Sequence, residues 1–381
     1  MDKLHFVASA PFGLEACVKR EAIKLGFENI KVSNGKVEFT GDFADMAKAN
    51  LNFSTAGRIW IKMGEFPAKT FEELFQGAKA LPWGDWIPVD GKFTVTGKSV
   101  NSALYSVSDC QAIVKKAIVE KLKEKYHLDW FDETGPVYMI EISLLKDTAT
   151  IQLDTTGSGL HKRGYRENAL DAPIRETMAA AMIDLSFWNR DRILFDPMCG
   201  SGTIPIEAAM KARRIAPGLG RKFISEGWPQ VDPQIWKNAR TEAYKAIDYD
   251  FVPKIYASDI DPAAIELAKE NAALAGVDDC IEFKVVGLED AVLPGKYGVM
   301  IVNPPYAERL GEVDYVENLY RKLGEKVNSD PTWSAYVLTS MEYFEKLFGR
   351  KADAKRKLFN GRIKTDYYQF FGERPPKGYK A

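Results

Sequence analysis

Three stretches of this 381-residue chain set polar residues at the tips of apolar runs, where a ligand can reach them. In ILFDPMCGSGTIPIEAA (residues 193–209) an apolar strand ends in Asp196, a turn containing Gly200 and Gly202 follows, and a helix is expected to open at about Thr203-Ile204-Pro205. Glycine lets backbone approach a ligand closely. Proline fits a first helical turn, where its missing N–H costs nothing. The dinucleotide fingerprint GxGxxG is not met: its third glycine falls on Pro205, and the acidic residue expected about 20 residues on is missing. The loop therefore suits a nucleoside without a pyrophosphate, and Asp196 suits an ammonium group carried by it. The next strand closes on Asp259, and a carboxylate there can take both ribose hydroxyls. Asp261 is expected to N-cap the following helix, with Pro262 at its first position.

The third stretch is GVMIVNPPYAERLG (residues 298–311). Here Asn303-Pro304-Pro305-Tyr306 directly follows a buried strand. The prolines hold the chain extended and remove donors, so local carbonyls face outward as acceptors. Asn303 adds a side-chain carbonyl. An exocyclic amine can donate one hydrogen to Asn303 and one to the Pro304 carbonyl, which favours a pyramidal nitrogen with a free lone pair. Tyr306 offers a face on which a base can stack. With a sulfonium methyl donor such as S-adenosylmethionine, which also carries the ammonium that suits Asp196, in-line methyl transfer needs no metal and no general base.

The elements that must position these residues follow from periodicity. Beyond residue 175 the pattern alternates β-α-β-α, as in a parallel sheet covered on both faces. Strands are expected near 193–196, 255–259, 281–286, 299–303 and 335–340. Two more, near 357–359 and 363–370, are joined at Asn360-Gly361, a hairpin signal. The fold class is α/β: a Rossmann-like, mostly parallel seven-stranded sheet ending in an antiparallel hairpin. Ahead of it, residues 1–63 form a small α/β unit, with a helix closed by Gly26. Residues 64–160 restart with a helix capped by Thr70 and Glu73. A long helix near 108–126 carries Lys115, Lys116, Lys121, Lys123 and Lys125, read either as a solvated face or as a phosphate-facing one. Residues 161–175 form a basic linker.

Composition narrows the classes. Net charge is −1 and 46% of residues are hydrophobic, so nucleic-acid binding must use local patches. The four cysteines lack CxxC spacing and the three histidines are scattered, which argues against metal sites and disulfides and fits a reducing cytoplasm. No signal peptide or membrane span is expected.

The pair DPMCGSGT and NPPYAERLG resembles the class I S-adenosylmethionine-dependent amino-group methyltransferases. HKRGYRENALDAPIRETMAAAMI and KLFNGRIKTDYYQFFG narrow the resemblance to the THUMP-domain RNA guanine-N2 methyltransferases, a family that includes one half of a bacterial ribosomal-RNA enzyme. The resemblance covers nearly the whole chain. It implies a ferredoxin-like domain over residues 1–63, an RNA-binding THUMP domain over 64–160 and a methyltransferase domain over 176–381. It assigns Asp196, Gly200 and Gly202 to the cofactor loop, Asp259 to the ribose, Thr177 to the helix over the methionine end and Asn303, Pro304, Pro305 and Tyr306 to the target amine. Ala307 stands where the family often has glycine. Gly287 occupies the usual place of the acid that meets the adenine amine, leaving Asp290 as its substitute.

The implied activity is methylation of guanosine N2 in RNA, with 23S ribosomal RNA as the leading substrate. A transfer-RNA guanine-N2 methyltransferase has the same parts. DNA adenine-N6 and protein glutamine methyltransferases share the NPPY chemistry, and a non-enzymatic RNA-binding factor is the remaining alternative. Local charge agrees with an RNA partner. Residues 346–364 hold eight Lys/Arg against Asp353 alone. Lys162, Arg163 and Arg166 lie in the linker, and Lys211, Arg213, Arg214, Arg221 and Lys222 follow the cofactor loop. Segment 211–252 is expected to be an insertion beside the site, with Trp228 and Trp236 in a core.

Overall fold

The computed structural model describes residues 3–166, 174–306 and 313–380. In the first half the elements are β1 (Leu4–Ser9), α1 (Glu15–Lys24), β2 (Glu28–Ser33), β3 (Lys36–Gly41), α2 (Phe43–Asn52), β4 (Ile59–Pro67), α3 (Phe71–Lys79), α4 (Trp83–Trp86), β5 (Lys92–Val100), α5 (Val107–Tyr126), β6 (Val137–Leu145) and β7 (Thr148–Asp154). Their strands form one sheet in the order β2-β3-β1-β4-β7-β6-β5. The boundary expected at 63/64 falls inside β4, which pairs with β1 on one side and β7 on the other. The two small α/β units thus share one continuous sheet.

The caps expected from sequence are in place. Gly26 sits at φ +79°, with its N–H on Ile23 O and that of Phe27 on Ala22 O, so carbonyls left over at the end of α1 find donors. Thr70 and Glu73 form a reciprocal capping box on α3.

In the second half the elements are α6 (Glu176–Asp184), β8 (Leu194–Asp196), α7 (Thr203–Ala212), α8 (Pro233–Lys245), β9 (Ile255–Asp259), α9 (Pro262–Leu274), β10 (Ile281–Val285), β11 (Val299–Val302), α10 (Val313–Asn328), β12 (Ser334–Thr339), α11 (Phe344–Phe348), β13 (Ala354–Asn360) and β14 (Ile363–Phe370). The sheet order is β10-β9-β8-β11-β12-β14-β13, parallel up to β12 and antiparallel in the last hairpin. β11 and β12 are buried at every residue, as expected for strands covered on both faces. The hairpin turn lies one residue later than the Asn-Gly signal suggests. Asn360 still pairs with Ile363, and the two turn residues are Gly361, at φ +64°, and Arg362.

The insertion between α7 and β9 departs from expectation. It packs on the first half of the molecule instead of beside the site. Trp228 stacks on Tyr138 with centroids 5.1 Å apart and donates Nε1–H to Val137 O at 3.0 Å. Trp236 stacks on Phe223, and both join the N-terminal core. Both tryptophans are therefore core residues, as read from sequence, but in the core of the other half.

Candidate active site

β8 is the central strand at which the chain order reverses, with β9 on one side and β11 on the other. In an open α/β sheet the crevice outside the carboxyl ends of such strands is the ligand site. The loops that follow β8, β9 and β11 carry Asp196–Gly202, Asp259–Asp261 and Asn303–Tyr306.

Asp196 ends β8 and is only 1% exposed. Met198 N–H donates to its Oδ1 at 3.2 Å. Burial, with the neighbouring charge of Asp259 adding to it, pushes its carboxyl up to about 8. Among the described residues no arginine or lysine forms an ion pair with it. A buried carboxylate without a cation is costly unless a cationic ligand joins it. That is an environment into which the ammonium of S-adenosylmethionine fits.

Asp259 ends β9 and is tied to the glycine turn. Gly200 N–H donates to Oδ2 at 2.9 Å, and Asp261 N–H to Oδ1 at 3.1 Å. A carboxylate has about four acceptor sites, so both oxygens keep capacity for ribose hydroxyls. Asp261 itself caps α9 through Ala263 N–H at 2.9 Å, with Pro262 in the first turn. Gly200 has φ +50° and nothing within 4 Å of where a Cβ would stand, leaving space for close approach. Gly202 has φ +80°, and a Cβ there would lie 3.0 Å from Ala268 Cβ on α9. One glycine thus leaves room for a ligand, whereas the other lets two helices meet.

Asp259, Asp290 and Pro305 line one cleft of about 510 Å³, together with Pro197, Ile260 and Leu288. That volume lies in the range of small-molecule sites. Asp290 is exposed on a turn closed by its own N–H on Gly287 O at 3.2 Å. Thr177 is buried in the first turn of α6. Arg166 holds that helix against the cofactor loop: it pairs with Glu176 at 3.3 Å and donates to Thr203 Oγ1 at 3.2 Å.

At the third loop, Pro304 is buried, Asn303 and Tyr306 are half-buried and Pro305 is exposed. The Tyr306 hydroxyl donates to Asn303 Oδ1, and Asn360 Nδ2 donates to the Tyr306 hydroxyl at 3.4 Å. The acceptor assigned to the target amine is thus engaged by the chain's own tyrosine. Buried Tyr320 donates to Pro305 O at 2.8 Å and shares a hydrogen bond with Thr339 Oγ1 at 2.8 Å. The expectation of outward-facing carbonyls is therefore corrected at Pro305, whose oxygen is anchored. Ala307 lies outside the described residues.

Reading the sequence missed Ile260 and Tyr320, took Arg166 for part of an RNA-facing run where it pairs with Glu176, and gave Asn360 another role. Ile260 is 71% exposed beside Asp259, and its signal is an apolar residue placed just past an acidic strand tip. Tyr320 and Arg166 act across long sequence separations and carry no local signal. Asn360 was read only as a turn residue.

The charge reading is corrected in two of the three basic runs. Arg163 is buried, paired with Glu207 at 3.1 Å and donating to Leu160 O at 2.8 Å. Arg213 pairs with Asp279 at 2.7 Å, and Arg221 donates to Gly159 O at 2.6 Å. These side chains are structural and cannot meet phosphates. On α5, Lys115, Lys121, Lys123 and Lys125 each pair with a nearby acid, which favours the solvated-face reading. Among the described residues no group of His, Cys, Asp or Glu is placed to hold a metal, and no helix is long and apolar enough to cross a membrane.

Three family descriptions match the chain: an RMKL-like methyltransferase domain over residues 163–369, a THUMP domain over 68–154 and an RlmL ferredoxin-like domain over 5–60. The chain is 51% identical to the Bacillus subtilis (strain 168) protein named "Putative RNA methyltransferase YpsC", covering 100% of this chain and 99% of that one. It is 35% identical to "Ribosomal RNA large subunit methyltransferase K/L" of Psychromonas ingrahamii over 94% of this chain, and it spans only 49% of that protein. The crystal structure of SMU.472 complexed with SAH superposes with a TM-score of 0.93 at 46% identity, covering 99% of this chain and 100% of that one. Together with the family match, the likeness to a structure complexed with SAH makes S-adenosylmethionine the cofactor. The chain belongs to the S-adenosylmethionine-dependent methyltransferases that carry an RMKL-like catalytic domain behind RlmL ferredoxin-like and THUMP domains.

Proposed function

We propose that this protein methylates the exocyclic N2 amine of a guanosine in RNA, with 23S ribosomal RNA in the cytoplasm as its substrate. The observation that carries the reading is that Pro305, within the Asn303–Tyr306 tetrapeptide, lines the same cleft as Asp259, in a chain that also carries a THUMP domain. The likeness to the K/L ribosomal-RNA methyltransferases supports the choice of RNA.

When bound, S-adenosylmethionine supplies a methyl group on a sulfonium, an electrophile that needs no metal. Asp196 takes its ammonium, Asp259 its ribose and Asp290 its adenine amine, while Gly200 and Gly202 let the backbone come close and Thr177 covers the methionine end. The guanine amine donates to Asn303 Oδ1 and to the Pro304 carbonyl. For that, the Tyr306 hydroxyl releases Asn303 as its ring turns to stack on the base. Two acceptors at the amine hydrogens would favour a pyramidal nitrogen with its lone pair free to take a methyl group from a bound sulfonium, which would leave as a neutral thioether while the amine gives up a proton to water. Tyr320 keeps Pro305 fixed while Tyr306 moves. Residues 1–160, with their one continuous sheet, hold the RNA, and 161–175 join them to the catalytic domain at 176–381.

The test is nucleoside mass spectrometry of ribosomal RNA, transfer RNA and DNA from a strain lacking the protein. Loss of N2-methylguanosine from 23S ribosomal RNA alone, restored by the purified protein, is the expected result. Loss from transfer RNA, or of N6-methyladenine from DNA, overturns the substrate assignment.

A further inference from the structure

We infer that Phe12 and Phe359 form a platform, built by the two halves of the molecule together, that stacks an unpaired RNA base next to the target nucleotide. The inference rests on the RNA-methylation reading and extends it to how the nucleotides around the target are held. Phe12 lies in the loop between β1 and α1 and is 57% exposed; Phe359 lies near the tip of β13 and is 37% exposed. Their rings meet edge to face with centroids 6.1 Å apart.

The loop is docked, not merely near. Arg356 on β13 donates to Gly13 O at 3.1 Å. Gly13, at φ +87°, would place a Cβ 2.9 Å from the Lys357 carbonyl oxygen, so the loop lies directly on this edge strand of the catalytic sheet. Large aromatic side chains held at such a junction normally enter a core. These two stay in solvent.

Charge beside them selects the occupant. Lys357 lies two residues before Phe359 on the same face of β13, and Lys364 is its cross-strand partner. Arg362 is in the turn. All three are exposed, and among the described residues none is in an ion pair; Asp366 on that face is taken by Lys355 at 3.7 Å. Arginine and lysine along a strand beside exposed aromatic rings is the composition that tracks a single-stranded backbone and stacks its bases. The strand that carries the platform also reaches the site: the next residue, Asn360, points to the other face of β13 and donates to Tyr306. A base withdrawn from its stack for chemistry leaves its neighbours without a partner, and a stacking platform on this strand would supply one.

The test uses the full-length protein and unmodified 23S ribosomal RNA transcribed in vitro. Filter binding and transfer of a labelled methyl group are measured for Phe12→Ala, Phe359→Ala, Phe12→Leu and Phe12→Trp. The first three should each bind RNA about tenfold more weakly, whereas Phe12→Trp should match the unaltered protein. Cofactor affinity by calorimetry and the melting temperature should not change in any of them. Leucine keeps the apolar volume but offers no π face, so the leucine–tryptophan split separates stacking from packing. If Phe12→Leu and Phe359→Ala bind RNA as the unaltered protein does, the platform is overturned while the methylation reading stands. If the unaltered protein binds cofactor but no RNA, both fail. A shift from dimer to monomer on Phe12→Ala would place a second copy of the chain there instead, and would also overturn the assignment.

Discussion

The loop after β8 and the tetrapeptide after β11 face the same crevice but are finished to different degrees. The first is assembled: Gly200 is held by Asp259, the neighbouring Asp261 caps α9, and among the described residues the buried Asp196 carboxyl has a backbone N–H and no cation for company. The second is closed on itself: Tyr306 occupies the acceptor of Asn303, and Asn360 bonds to that same hydroxyl. A small cofactor can enter a site whose donors and acceptors already point the right way, because little ordering remains to be done. On the proposed reading, a target base must instead displace a tyrosine. The amine side is therefore the place where binding of the correct RNA can control assembly of the site.

Four experiments bear on that contrast. The largest effect is expected from Asn303→Ala. It should lower the single-turnover rate by about 10²–10³, by analogy with loss of one transition-state hydrogen-bonding group, while cofactor affinity holds. A defect confined to cofactor binding would erase the distinction between the two sides. Asp259→Ala should do the reverse, weakening cofactor binding by about tenfold to a hundredfold. Calorimetry reads this directly, and an unchanged affinity would mean that another residue holds the ribose.

Asp196 supplies the third test through pH. Its carboxyl is pushed up to about 8 by burial, so below that value the protein without cofactor keeps the proton and a bound ammonium must expel it. Cofactor affinity should rise by up to about tenfold per pH unit between pH 6 and 8. Proton release should appear in calorimetry as a dependence on buffer ionisation enthalpy. The stability of the cofactor-free protein has the opposite slope. The folded state retains a proton that the unfolded chain has lost, so stability falls as pH rises from the ordinary carboxyl range towards 8. A flat affinity profile would remove Asp196 from the ammonium site.

Tyr306→Phe should have the smallest effect. It keeps the stacking ring and frees the Asn303 carbonyl, so the rate should change by less than about tenfold, with any gain seen in KM for RNA and not in kcat. A loss as large as that of Asn303→Ala would give the hydroxyl a direct part in transfer.

Much of this was legible in the residues. Asp196, Asp259 and Asn303 stand at strand tips because runs of β length end at or immediately before them, and caps such as Thr70 and Asp261 depend on neighbours only a few residues away. Charge was less legible. Arg163, Arg213 and Arg221 read like Lys357, Arg362 and Lys364 in a list of basic residues, yet the first three face acids or carbonyls inside the molecule and the last three face solvent. Composition counts a cation but does not say what lies opposite it.

The sequence by itself determined the parallel sheet with its terminal hairpin, the loops after β8, β9 and β11 and the helix caps, since each depends on periodicity or on residues within one turn. Tertiary structure alone decided that segment 211–252 clasps the N-terminal half, that Tyr320 anchors Pro305 and that the hairpin turns one residue later than its Asn-Gly pair suggests. In a strand, a shift of one residue moves a side chain to the other face. That shift keeps Asn360 in β13, where it meets Tyr306, 54 residues away in the chain. Contacts over such separations form only when packing has fixed every element between them, so no local pattern records them.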